Sequence, residues 1–160
     1  MKEFIDMQHW PLVGLHMPEQ VADERAGDMV AQLESLYARA EPFVLLMEGV
    51  EFPRQSGRFM TTYAQWSRDR FVDQQRYCLG ALRIETDETL RHEYLRKADA
   101  WNASGRAPYP YRVVATRAEA EAQARAWLAG HHPSPSDVTP HADPTRNNPY
   151  EPPHHVRHSS

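Results

Sequence analysis

The 160-residue chain has one cysteine, Cys78, and no CxxC pair, so neither an internal disulfide nor a cysteine-built zinc site can brace it. It lacks any apolar run near the ~18 residues that a membrane span requires. Its opening, Met1-Lys2-Glu3-Phe4-Ile5-Asp6, has no apolar segment of the secretory kind. These absences lead us to expect a cytoplasmic protein stabilised by packing. Positive charge is not in excess either: 18 Lys and Arg stand against 22 Asp and Glu, a formal net charge of −4. That balance gives no general pull toward nucleic acid or an anionic membrane. The P-loop, GxGxxG, HExxH and GxSxG patterns are missing, and with them any positive sign of an enzyme, a cofactor or a resident metal.

What is present is 41% hydrophobic, 10% aromatic and 25% charged, the proportions of a folded globular protein, at a length that suits one compact core with appendages. The composition changes at His131. From there to residue 160 the chain holds seven of the thirteen prolines and six of the nine histidines, with Val138 and Val156 its only aliphatic residues beyond alanine. Such a stretch cannot bury enough apolar surface to offset the entropy of ordering it, so residues 131–160 are expected to form a disordered, extended tail. Its histidines (His131, His132, His141, His154, His155 and His158) are unspaced, which suits adventitious metal capture better than a built site.

Within residues 1–130 strand-like and helix-like periodicities alternate. Phe4 to Met7 and Trp10 to Leu15 read as a hairpin, with Pro11 at a sheet edge or strand start. A helix opened by Pro18 places Ala22, Ala26, Met29, Val30, Leu33, Leu36 and Tyr37 on one face. Phe43 to Met47 is a short, continuously apolar run bounded by Pro42 and Gly49, the pattern of a central strand covered on both sides. Arg58 to Cys78 reads as helix with Phe59, Tyr63, Trp66 and Tyr77 inward and Gly80 closing it. Ala81 to Glu85 alternates as a strand; Leu90, Tyr94, Ala98 and Trp101 mark the next helix; Tyr111 to Ala115 is a last strand. Thr116-Arg117-Ala118-Glu119 is a capping box that begins a closing helix with Ala120, Ala124, Trp127 and Leu128 inward and Gly130 at its end. The order β-β-α-β-α-β-α-β-α defines an α/β domain: a mixed sheet of about five strands with flanking helices.

Two local features resemble the STAS domain and its SpoIIAA-like relatives. One is the ending, Tyr111-Arg-Val-Val-Ala-Thr-Arg-Ala-Glu-Ala followed by Ala126-Trp127-Leu128. The other is Gly49-Val50-Glu51-Phe52 followed by Ser56-Gly57, similar to the STAS loop that leads to a Ser-Gly at the head of a helix. The resemblance spans roughly residues 8–130 and implies a small α/β regulatory domain. It implies further that Ser56 is a phosphorylation site, where Arg54 and Arg58 and the helix N-terminus would receive the added charge. The acidic residue that normally precedes that serine is missing, with Pro53-Arg54-Gln55 in its place. Simple capping of the following helix is the commoner use of such a serine.

Charge is segregated along the chain. Residues 19–48 carry seven acidic side chains against Arg25 and Arg39, whereas Arg54, Arg58, Arg68, Arg70 and Arg76 cluster in the next segment. Complementary patches of this kind steer protein association, and the aromatic and arginine content of 58–71 is that of an interface. The expected function is therefore a non-enzymatic interaction module that binds a protein partner through the loop and helix 51–76, with Arg54, Ser56, Arg58, Arg68 and Arg70 at the contact. An immunity-type inhibitor using the acidic first helix is one alternative. A binder of a lipid or small metabolite in an apolar pocket is the other. Cys78, next to no histidine in sequence, is expected to be a buried hydrophobe.

Overall fold

The computed structural model describes residues 2–131, so all of the tail except His131 lies outside the described residues, together with the expectations placed on it. The strands are β1 (Ile5–His9), β2 (Leu12–Met17), β3 (Phe43–Gly49), β4 (Cys78–Ile84) and β5 (Tyr111–Val114). The helices are α1 (Ala26–Ala38), α2 (Gly57–Asp69), α3 (Phe71–Tyr77), α4 (Glu88–Ala103) and α5 (Arg117–His131), with a short 3-10 turn at Asp23–Arg25. This is the expected small α/β domain. The sheet is mixed and runs in chain order, β1 antiparallel to β2 and every later pair parallel. Among the described residues no helix is long and apolar enough to cross a membrane.

Sequential strand order places the crossovers α1, α2–α3 and α4 on one face and leaves α5 for the other. Alternation along the strands serves both faces. Val13, Leu15, Phe43, Leu45 and Ala81 join Leu33, Leu36, Tyr37, Phe59 and Trp66 in the larger core, whereas Val44, Leu46 and Leu82 pack on Ala120 and Ala124 of α5. Phe43, Val44 and Leu82 are fully buried, and each such side chain contributes roughly 1.5–3 kcal/mol. The capping box of α5 is formed: Glu119 N–H donates to Thr116 Oγ1 at 3.1 Å, and Thr116 N–H donates to the Glu119 carboxylate at 3.2 Å.

Several boundaries differ from the sequence expectation. The first helix begins at Ala26 rather than after Pro18: residues 18–22 are irregular and 23–25 take the tighter 3-10 form. The expected single helix over 58–78 breaks at Arg70, whose φ of −106° and ψ of 21° lie outside helical geometry. Gly80 ends no helix. It lies in β4 beneath Trp127, whose indole occupies the space that a β-carbon there would fill. Gly130 does not stop α5, which continues through His131, so that residue belongs to the helix and not to the tail. In α4 only Ala98 is buried, while Leu90 and Trp101 are exposed. Gly49, at φ +89°, turns the chain out of β3 against the backbone of Met17, where any side chain would collide.

Candidate functional site

α1, α2 and α3 pack against one another, with α3 on β4 and side chains of α1 and α2 in one core with β2 and β3, and α4 packs on β5. Between these two groups of helices, above β3 and β4, lies a cavity of about 560 Å³, within the ~300–1,000 Å³ usual for small-molecule sites. Its floor is the inward row of the sheet: Leu15, Leu45, Met47, Arg83 and Tyr111. The register sets that row, since Met47 pairs with both Leu15 and Arg83. Leu33 and Tyr37 of α1 and Phe59, Tyr63 and Trp66 of α2 form the roof. Phe59–Tyr63 and Tyr63–Trp66 stack with ring centroids 5.9 Å apart, and Tyr37 meets Trp66 at a tilt, 5.6 Å away. Phe52, 61% exposed, and Trp101, 37% exposed, mark the opening.

Polar groups are few in this cavity. Lys97 of α4 reaches Glu51 in the β3–α2 loop at 3.2 Å, an ion pair that ties the two sides of the opening together. Arg83 is only 1% exposed. Its guanidinium donates to the Gly49 carbonyl and lies 4.6 Å over the Tyr94 ring, and its Nε–H has no partner. Burial raises the hydroxyl pKa values of Tyr37, Tyr63 and Tyr109, and pushes Tyr111 up to about 12 although Arg83 opposes the shift. The cavity tyrosines are therefore neutral hydrogen-bonding groups at physiological pH.

The segment expected to bind a partner is divided by its own geometry. Arg54, Ser56 and Arg58 stand at the head of α2, and Arg68 and Arg70 at its far end, about 15 Å along the helix axis. Arg54, Arg58 and Arg68 are exposed; Arg54 lies 3.6 Å from Glu19, and Arg68 donates to Gln65 at 2.9 Å. Arg70 is held 2.8 Å from Glu34, so it stabilises the α1–α2 packing as well as facing solvent.

Ser56 is 3% exposed. Its hydroxyl accepts from Val21 N–H at 2.7 Å and donates to the Arg54 carbonyl at 2.8 Å. It makes no capping bond to α2, so this serine staples two loops instead of capping a helix. Phosphorylation removes the proton donated to the Arg54 carbonyl and places a charged group at this buried site.

Cys78 is buried at the start of β4, its thiol donating to the Gly80 carbonyl at 3.4 Å. Desolvation pushes its pKa up to about 12. His92 is exposed on α4, 4.0 Å from Glu88, and His16 sits on β2 with its Nδ1 buried and unpartnered. Among the described residues no group of three or more His, Cys, Asp or Glu side chains could hold a metal ion.

Sequence reasoning missed Arg83, Lys97 and Glu51 as site residues. The period-two alternation of Ala81 to Glu85 reads as a half-buried strand with Arg83 on its polar face, so its enclosure carried no sequence signal. No family model matches the chain, and neither a curated protein nor a solved structure is detectably similar to it.

Proposed function

We propose that this protein is a non-enzymatic binding module whose ligand is a small, largely apolar molecule held in the cavity between the sheet and α1–α4. The observation that carries the reading is the cavity itself: about 560 Å³, walled by aromatic and aliphatic side chains, with two large hydrophobic side chains left exposed at its opening. Ligand sites of this type combine an apolar wall with a few convergent polar groups. The high pKa of the Cys78 thiol favours binding over thiolate chemistry. The opening hairpin and the order of elements support the SpoIIAA-like reading of the fold. The test is a thermal-melt series with saturated fatty acids, long-chain alcohols and glucose as the polar control. A ligand selective for the native state raises the melting temperature in proportion to ln(1 + [L]/Kd). The apolar compounds are expected to shift the transition by several degrees and glucose not at all; no shift with any apolar compound contradicts the reading.

The exposed Phe52 and Val72, both 61% exposed and both within 51–76, favour a second reading. In it this segment docks a protein partner, with Arg54, Arg58 and Arg68 as surrounding charges. A pull-down from lysate of the native host, with Phe52→Glu as control, tests it: a stoichiometric partner lost in the variant supports docking, and equal capture by both contradicts it. An immunity-type inhibitor is the weaker form of this reading, because Glu34 of the acidic helix is already engaged by Arg70.

A further inference from the structure

We propose that Arg83 is the anchor for a single carboxylate, and hence that the ligand is an apolar monocarboxylic acid, inserted with its head at the β4 floor and its body among the aromatics. The proposal rests on the cavity reading above and adds the chemistry of the head group. A guanidinium stays charged at any physiological pH, and a buried charge without a counterion is strongly disfavoured. Arg83 is nevertheless 1% exposed. Its neighbours are the Gly49 carbonyl, the ring face of Tyr94 and the Tyr111 hydroxyl, all neutral. Among the described residues no carboxylate lies within 4.0 Å of it. The one acid on the cavity wall, Glu51, is already paired with Lys97.

The charge balance of the wall defines the ligand further. Arg83, Lys97 and Glu51 are its charged members, leaving one net positive charge. A monoanion neutralises that charge, whereas a phosphate dianion leaves an uncompensated negative charge beside Glu51. The Nε–H of Arg83 is buried without a partner, so a carboxylate that reaches it satisfies a donor the fold leaves open with a charge-assisted bond. The Tyr111 hydroxyl, on the strand beside Arg83, adds a neutral polar group near the same place.

The experiment is isothermal titration calorimetry of the full chain with dodecanoate and with dodecanol, which share a body and differ in the head. Both are repeated on Arg83→Met, of similar length and uncharged, and on Arg83→Lys, which keeps the charge but removes the planar fork. The wild-type protein is expected to bind dodecanoate at least tenfold more tightly than dodecanol. In Arg83→Met that preference should vanish while dodecanol affinity is retained, and Arg83→Lys should keep part of it. Should Arg83→Met fail to fold, the wild-type acid-to-alcohol ratio and the lysine variant decide. Equal binding of acid and alcohol by the wild-type protein overturns the anchor and leaves the cavity reading standing. Binding of neither overturns both. Unchanged acid preference in Arg83→Met places the head group elsewhere and overturns the assignment.

Discussion

Arg70 and Trp66 converge on one oxygen of Glu34: the guanidinium Nε and the indole N–H each donate to Glu34 Oε1 at 2.8 Å. This contact fixes the end of α2 against α1 and holds Trp66 over the cavity. Arg70 is the largest cause of the lowered Glu34 pKa, with the Trp66 bond adding to it against desolvation. A depressed carboxylate pKa contributes stability that is present above the unfolded value, about 4.3, and is lost as the pH falls through the folded value. Wild-type stability is therefore expected to decline more steeply below about pH 4.3 than that of Glu34→Gln. At neutral pH the substitution should cost within about 1 kcal/mol, because the pair is well solvated. Urea midpoints measured from pH 7 to pH 3 check both points, and parallel acid limbs would contradict the assignment.

Gly80→Ala should destabilise by roughly 1–3 kcal/mol, since the new methyl forces Trp127 off β4. Tryptophan emission should shift in the same variant. An unchanged urea midpoint would mean that Trp127 does not lie on Gly80.

Ser56→Ala removes the acceptor of the Val21 N–H and should cost about 1–3 kcal/mol, the penalty of an unsatisfied buried donor. Ser56→Asp should be worse, because it also places charge in a buried site. Thermal melts of both variants test this. A silent Ser56→Asp would show that the site accepts negative charge, and would favour the phosphorylation expected from the STAS resemblance.

The Cys78 thiol, buried and with its pKa raised to about 12, should resist alkylation by iodoacetamide at pH 8 in the native protein and react fully in denaturant. Rapid native labelling would contradict its burial.

Much of this architecture is legible in the residues. The apolar stripe Met29, Val30, Leu33, Leu36 and Tyr37 announces α1, and the Phe43–Met47 run announces a strand covered on both faces, because packing on two sides leaves no polar alternation. The capping box announces α5. Less legible are features set by tertiary contact. The glycine at 80 reads as a helix stop until Trp127 is seen above it, and no glycine or proline marks the break at Arg70, whose side chain bonds Glu34, 36 residues away. The site was the least legible part. The arginines at 54, 58, 68 and 70 stand out in sequence by density, but two of them pair with acidic residues of the neighbouring segment. Arg83 hides in an ordinary strand pattern and draws its meaning from being enclosed.

The space above Met47 is the proposed ligand site. Met47 is half-buried on the cavity floor, so Met47→Trp fills that space from the sheet side without opening the core. Quenching of the tryptophan emission from Trp66 and Trp101 by a brominated fatty acid, titrated into wild-type and Met47→Trp protein, is the direct measurement. Saturable one-to-one quenching is expected in the wild-type protein, with its loss in a Met47→Trp variant that still melts cooperatively. Equal saturable quenching in both, or none in the wild type, would contradict it.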